Sequence, residues 1–105
     1  MQYRDHLNHL PPHMHAAITD WIERGWQPGD FLTALLSNDF MEACGRADEH
    51  NLAALSAWAV YLYNYAPAGC YGSPGNVEAW CKRGGLEGME REFRAAESEA
   101  REQLT

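Results

Sequence analysis

The chain has 105 residues, of which 46% are hydrophobic and 22% charged, and its formal net charge is −7. This size and composition are typical of one small globular domain and exclude both a disordered chain and a core that also encloses a large cofactor. The negative charge argues against direct binding of DNA or RNA, which requires a basic surface. No Lys or Arg occurs between Ala47 and Cys81, so a partner protein with a basic surface suits this chain better.

The sequence contains no apolar run of the roughly 18 residues that a membrane-spanning helix needs. Its first residues, MQYRDHLNHLPPHMH, contain no apolar signal-peptide core. We therefore expect a cytoplasmic protein without a membrane partner. The odd number of cysteines, with no CxxC pair, argues against a disulfide framework in such a protein.

Two long helices are predicted in the first half of the chain, after a short helix within the first ten residues. The first long helix ends at Gly25 and has an apolar face formed by Met14, Ala17, Ile18, Trp21 and Ile22. After the turn WQPGD, in which Asp30 is a candidate cap, the second covers residues 31–47. Its expected buried stripe comprises Leu32, Leu35, Leu36, Phe40, Ala43, Cys44 and Ala47. Asp39 falls within this stripe, where a carboxylate needs a partner.

A third helix is predicted over residues 49–65, with Asp48 as its N-cap and Pro67 beyond its end. One stripe of this helix comprises Leu52, Leu55, Ala59, Leu62 and Ala66, and a second comprises Trp58, Tyr61 and Tyr65. A helix that is apolar on most sides is usually central, so we expect it to be the spine of the fold. Tyr63 points away from Tyr61, and Tyr71 in the following loop is the tyrosine that we expect to be most exposed.

Two more helices are predicted in the remainder of the chain. Ser73 and Pro74 are suited to begin a short helix that ends at Gly84–Gly85 and turns Val77, Trp80 and Cys81 inward. Residues 86–104 form a charged amphipathic helix with a narrow seam of Leu86, Met89, Phe93, Ala96, Ala100 and Leu104. Three i,i+4 pairs support it: Glu87–Arg91, Glu90–Arg94 and Glu97–Arg101. The seam predicts docking either on the body or on a second copy, as a homodimer.

The expected fold is therefore all-α, a compact bundle of about four to five helices around the central helix at about 49–65. Residues 1–85 form the helical body, and residues 86–105 form the C-terminal amphipathic helix, which belongs to the same domain or serves oligomerisation.

Neither a metal site nor a catalytic site is predicted. The N-terminal histidines, His6, His9, His13 and His15, lack the spacing of a zinc site. There is no HExxH, G-x-S-x-G or phosphate-binding loop, and Ser73 is better explained as a helix cap than as a nucleophile. These features predict a protein without enzymatic activity, cofactor or bound metal.

Two stretches of the chain resemble a group of small proteins from tailed bacteriophages, prophages and related mobile elements. They are LPPHM…IERGWQPGDFLTALLSNDFMEACGRADEHN and YLYNYAPAGCYGSPGNVEAWCKRGG, which together cover about residues 10–85. The resemblance implies expression in a bacterial cell from accessory phage genes and binding of a host protein, as in the inhibition of a defence system. It implies no catalytic residue, and the helix after Gly85 lies outside it.

The leading hypothesis is a non-enzymatic protein that binds a host protein. Aromatic residues dominate binding centres, and amides and carboxylates supply polar contacts. The candidate partner-binding residues are Trp26, Asn38, Asp39, Tyr63, Asn64, Tyr71 and Trp80. One alternative is a small-molecule binder such as a sponge for a nucleotide signal, and another is a structural or assembly protein that acts through residues 86–104.

Overall fold

The computed structural model describes residues 2–104, and within that range the chain is all-helical, without a β-strand. Eight α-helices occur in this part of the chain: α1 Gln2–Asp5, α2 His15–Arg24, α3 Asp30–Leu36, α4 Phe40–Arg46, α5 Glu49–Ala53, α6 Leu55–Tyr65, α7 Pro74–Arg83 and α8 Gly85–Leu104. Three single 3₁₀ turns connect them, at Leu7–His9, Pro12–Met14 and Ala68–Cys70. None of these helices is long and apolar enough to cross a membrane.

Helix α2 follows the prediction. Ile18, Trp21 and Ile22 are buried, and Met14 and Ala17 pack partly against the same core. Gly25 ends the helix in the left-handed conformation, with φ of 69°, and its N–H donates to the carbonyl of Trp21 at 2.9 Å. Any side chain at this position would be strained and would also approach the neighbouring α7.

The prediction of one helix over residues 31–47 is wrong. The chain breaks after Leu36, since Asn38 adopts a φ of +64°, which an asparagine tolerates and a helix does not. Asp39 then begins α4 as its N-cap, and its carboxylate accepts the N–H of Glu42 at 3.3 Å. The break moves Asp39 and Phe40 out of the expected buried stripe, and both are exposed. The cap predicted at Asp30 is also absent, because Asp30 is the first helical residue and Gly29 precedes it.

The helix predicted over residues 49–65 is two helices. Asp48 is the N-cap of α5, as predicted, and its carboxylate accepts the N–H of Asn51 at 2.8 Å. The chain bends at Ala54, whose N–H is shared between the carbonyls of His50 and Asn51. Helix α6 buries Trp58, Tyr61 and Leu62, whereas its opposite side is exposed. Leu52, which lies on α5, is exposed as well.

Three tryptophans organise the core, and each indole N–H is bonded within it. Trp21 donates to the carbonyl of Cys70 at 2.9 Å, and Trp80 donates to the carbonyl of Trp21 at the same distance. Trp58 donates to the side-chain oxygen of Asn51 at 3.2 Å. Two of these bonds join α2 to α7 and to the turn at Cys70, and the third joins α6 to α5. Among the described residues, no buried side-chain nitrogen or oxygen lacks a hydrogen-bond partner.

Helix α7 begins as predicted, with the Ser73 hydroxyl accepting the N–H of Asn76 at 3.1 Å and Pro74 in the first helical position. Val77 and Trp80 are buried, but Cys81 is exposed, so its predicted inward orientation is wrong.

Helix α8 packs on α2 and α7 near its start, where Gly85 and Gly88 are buried, and every described side chain from Met89 onward is exposed. The molecule is accordingly elongated, with extents of 59 × 27 × 19 Å. The Glu90–Arg94 pair is present at 2.6 Å, whereas Glu87 lies 3.8 Å from Arg24 of α2.

Candidate protein-binding groove

An apolar groove of about 290 Å³ lies between the elbow of α3 and α4, helix α6 and the loop that precedes α7. Eight residues line it: Leu35, Asn38, Phe40, Ala59, Leu62, Tyr63, Tyr71 and Gly72. None of them is charged, so the lining is suited to apolar and aromatic groups, with Asn38 and the tyrosine hydroxyls as polar contacts. We refer to these eight residues as the groove.

Backbone contacts hold the two ends of the groove together. The N–H of Gly72 donates to the carbonyl of Leu36 at 2.7 Å, which joins the loop to the end of α3. The N–H of Asp39 donates to the carbonyl of Ala34 at 2.9 Å, which fixes the elbow after Asn38. The loop is fixed from its other side by Asn76, whose side-chain amide donates to the carbonyl of Tyr71 at 3.0 Å. Hydrogen bonds to main-chain groups thus hold two sides of the groove, the α3–α4 break and the loop before α7.

Two aromatic side chains on the groove are exposed to an unusual degree. Tyr63 is 81% exposed and Phe40 is 62% exposed. Leu62 beside them is buried and Leu35 is partly buried, so the groove combines exposed aromatic groups with an apolar floor. An exposed cluster of large apolar groups on a small protein is typical of an interaction site.

The structure brings together three of the seven predicted site residues. Asn38, Tyr63 and Tyr71 line the groove, although Tyr71 is half-buried and Tyr63 is much more exposed, which reverses the prediction for these tyrosines. Asp39 and Asn64 are exposed next to groove residues but do not line it. The side-chain amide of Asn64 donates a hydrogen bond within its own helix, to the carbonyl of Val60 at 2.9 Å.

The two predicted tryptophans lie elsewhere. Trp80 is buried at 3% exposure and bonded to Trp21, so its prediction as a partner-binding residue is wrong. Its place on the inward face of α7 already indicated burial. Trp26 is exposed and lies under the guanidinium of Arg24, 4.6 Å from the ring centre, at the end of α2. It is outside the groove.

Five groove residues are not among the predicted site residues: Leu35, Phe40, Ala59, Leu62 and Gly72. A signal for Phe40 was present, because Asp39 followed three residues later by Glu42 is the pattern of a helix N-terminus. Recognising that start would have divided the helix and moved Phe40 out of the core stripe. No comparable signal places Gly72, which reaches the groove through its contact with α3.

The N-terminal histidines are engaged with different parts of the molecule. His6 stacks on Tyr65, with 3.6 Å between ring centres, and the Nε2 atom of His15 lies 2.9 Å from the carbonyl oxygen of Leu10. The Nε2 atom of His13 lies 2.8 Å from a carboxylate oxygen of Asp48. Across residues 2–104, no three His, Cys, Asp or Glu side chains are grouped so that they could hold a metal ion.

Cys70 is buried in the core, with its thiol out of contact with solvent. Burial raises its pKa to about 12, so the thiol is protonated at neutral pH and is a poor nucleophile. Its backbone carbonyl accepts the indole N–H of Trp21, which gives the residue a structural role.

Comparisons of the chain with protein-family models, with curated proteins and with solved structures find no match.

Proposed function

We propose that this chain is a non-enzymatic accessory protein of a bacteriophage or prophage, and that it binds a protein of the bacterial host in the host cytoplasm. Inhibition of a defence system is the form of this function that we expect. The phage setting is based on the resemblance of residues 10–85 to small phage proteins. The binding function is supported by the groove, which gathers Asn38, Tyr63 and Tyr71 on one surface.

The chemistry of the groove favours a protein ligand with apolar and basic residues. Exposed Tyr63 and Phe40 can each lose a large apolar area to a partner at little cost in conformational entropy, which is the property of binding hot spots. Helix α6 and the loop that contribute to the groove lie within the segment between Ala47 and Cys81, which has no Lys or Arg. A basic segment of the host protein is therefore the occupant that meets least electrostatic repulsion.

A small-molecule ligand is the second candidate function. The groove volume of about 290 Å³ is near the lower end of small-molecule sites, which begin at about 300 Å³. A nucleotide signal would stack on the tyrosines, but its phosphates would find no Lys or Arg among the eight lining residues. Because the groove offers no cation to the phosphates of a nucleotide, we rank a protein partner first.

The test is native mass spectrometry of the protein recovered gently from a bacterial lysate, with two variants in parallel. We expect a stoichiometric complex with one host protein for the wild type, and its loss for Tyr63→Ala. The matched control is Trp26→Ala, which removes an exposed aromatic side chain outside the groove and should keep the complex. Because both side chains are exposed, each substitution should change the free energy of unfolding by less than about 0.5 kcal/mol.

Two results would contradict the proposed function. One is a complex that survives Tyr63→Ala in a folded protein, which would place the binding surface elsewhere. The other is a bound species of a few hundred daltons instead of a protein, which would establish the small-molecule function.

A further inference from the structure

Helix α8 carries an exposed apolar seam with a seven-residue repeat. Its members alternate at spacings of three and four: Leu86, Met89, Phe93, Ala96 and Ala100. The seam begins in contact with the body, where Leu86 is half-buried against the core. It then leaves the body, because Met89 is 39% exposed and Phe93 is 66% exposed. The same stripe thus packs against the core at one end and is exposed to solvent farther along the helix.

Glutamates flank the seam on both sides. Glu90 and Glu97 follow one edge, and Glu92 and Glu99 follow the other, while the arginines of this helix lie farther round its circumference. Near the body the flanking charge is partly balanced, since Glu90 bonds to Arg94 at 2.6 Å and Glu92 lies 3.7 Å from Arg83.

The acidic character persists along the outer part of the helix. Among residues 2–104, no ion pair involves Glu97 or Glu99.

These charges disfavour a second copy of the chain as the occupant of the seam. In a parallel pair of α8 helices, Glu92 of one copy faces Glu97 of the other. In an antiparallel pair, glutamates of the same edge face one another. Both arrangements bring like charges together at the border of an apolar contact, and each such pair is destabilising.

The seam starts in a crevice that is also acidic. This crevice, of about 410 Å³, is lined by Tyr3, Arg4, Glu23, Leu86, Glu87 and Glu90. Among its lining residues Arg4 is the cation, and it is paired with Glu23, while Glu87 lies 3.8 Å from Arg24. A partner segment that follows the seam towards the body would therefore end beside three carboxylates, two of which are on α8.

We infer that α8 is a docking arm for a basic amphipathic helix of a partner protein. The apolar residues of that helix pack on Met89, Phe93 and Ala96, and its Lys and Arg side chains pair with the glutamates on both edges. The complementary charge supplies both attraction and the choice of partner over self-association. This docking arm is a surface separate from the groove, and binding there is independent of the groove.

The experiment uses two synthetic helical peptides as probes, each with Leu at the seam positions of its heptads. One carries Lys at the flanking positions and the other carries Glu. Each is added at up to millimolar concentration to the ¹⁵N-labelled protein, because fewer than three heptads bind weakly. We expect the Lys peptide to shift the amide signals of residues 89–100, the effect to weaken with salt, and the Glu peptide to have no effect.

Two double variants locate the charge effect. Glu97→Lys with Glu99→Lys should weaken binding of the Lys peptide by roughly tenfold or more, because attraction becomes repulsion at two positions. Glu49→Lys with Glu78→Lys changes the net charge equally on other helices and should weaken it by less than about twofold, a loss due to overall charge alone. Tyr63→Ala in the groove should leave it unchanged.

Four outcomes would overturn the docking arm: equal binding of both peptides, no binding of either, equal effects of the two double variants, or shifts confined to residues outside both α8 and the crevice. A concentration-dependent shift of residues 89–100 without peptide would also overturn it, since a second copy would then occupy the seam.

Discussion

The core and the groove use aromatic residues in opposite ways. Trp58 and Tyr61 on one side of α6 are at most 1% exposed, and the Tyr61 hydroxyl donates to the carbonyl of Tyr3 at 2.8 Å. Tyr63, two residues later, is 81% exposed. Because two residues turn a helix by about 200°, a single helix supplies both the fixed core and the open surface. Aromatic content alone therefore indicates neither burial nor binding, and the packing of α1 and the Leu7–His9 turn against one side decides between them.

Of the substitutions proposed, removal of a buried tryptophan should destabilise the protein most. Trp80→Ala removes a buried indole and its bond to Trp21, and it should reduce the free energy of unfolding by about 3–5 kcal/mol. Chemical denaturation followed by circular dichroism measures the change. Trp26→Ala is the matched control, because it removes the same side chain from an exposed site. Equal effects of the two substitutions would contradict the burial of Trp80.

A smaller effect is expected where the groove loop joins the core. Ser73→Ala removes the hydroxyl that caps α7 and should reduce the free energy of unfolding by about 1 kcal/mol. Ser73→Gly, which leaves the α7 N-terminus accessible to water, should cost only a few tenths of a kcal/mol. Thermal unfolding of both variants tests this order. A loss as large as that of Trp80→Ala would mean that the loop belongs to the core.

The smallest effect is a pH dependence at the start of α5. The hydrogen bond from the Asn51 N–H, and then the contact with His13, hold the pKa of Asp48 below its ordinary value of 3.8. A lowered folded-state pKa stabilises the protein above the unfolded-state value, and this stabilisation is lost as the pH falls through and below about 4.

Asp48→Asn keeps a capping side chain but cannot ionise, so its unfolding temperature should be below that of the wild type at pH 7 and approach it near pH 3. Asp5→Asn controls for the loss of one negative charge. A difference that is constant with pH would contradict the ionic role of Asp48.

The sequence predicts helical segments well because the apolar periodicity is strong. The inward face of α2, the burial of Val77 and Trp80 on α7, the caps at Asp48 and Ser73 and the stop at Gly25 are confirmed, since each depends on local chemistry. The division of residues 31–47 was missed because the apolar spacing continues across a break that one backbone angle at Asn38 produces. A periodic pattern cannot register such a break.

The site was harder to predict than the helices. Tyr63 and Asn38 come from segments 25 residues apart, and the Gly72–Leu36 hydrogen bond joins the loop to α3 beside them. Tyr71 was expected to be the most exposed tyrosine because it lies in a loop, but that bond draws the loop against the helices. Exposure there depends on a long-range contact that has no local signature.

The direction of α8 depends on two glycines, Gly85 and Gly88, which have no side chain. A methyl group at Gly85 would lie 2.7 Å from the backbone of Arg24, and one at Gly88 would lie 1.6 Å from the carbonyl oxygen of Arg83. Main chain therefore touches main chain where α8 crosses α2 and α7, and no rotamer change can relieve an added atom there. The close main-chain contact at this junction therefore sets the direction in which α8 leaves the body. Substitution at either glycine would therefore change the direction of α8 while every residue on its exposed surface stays the same.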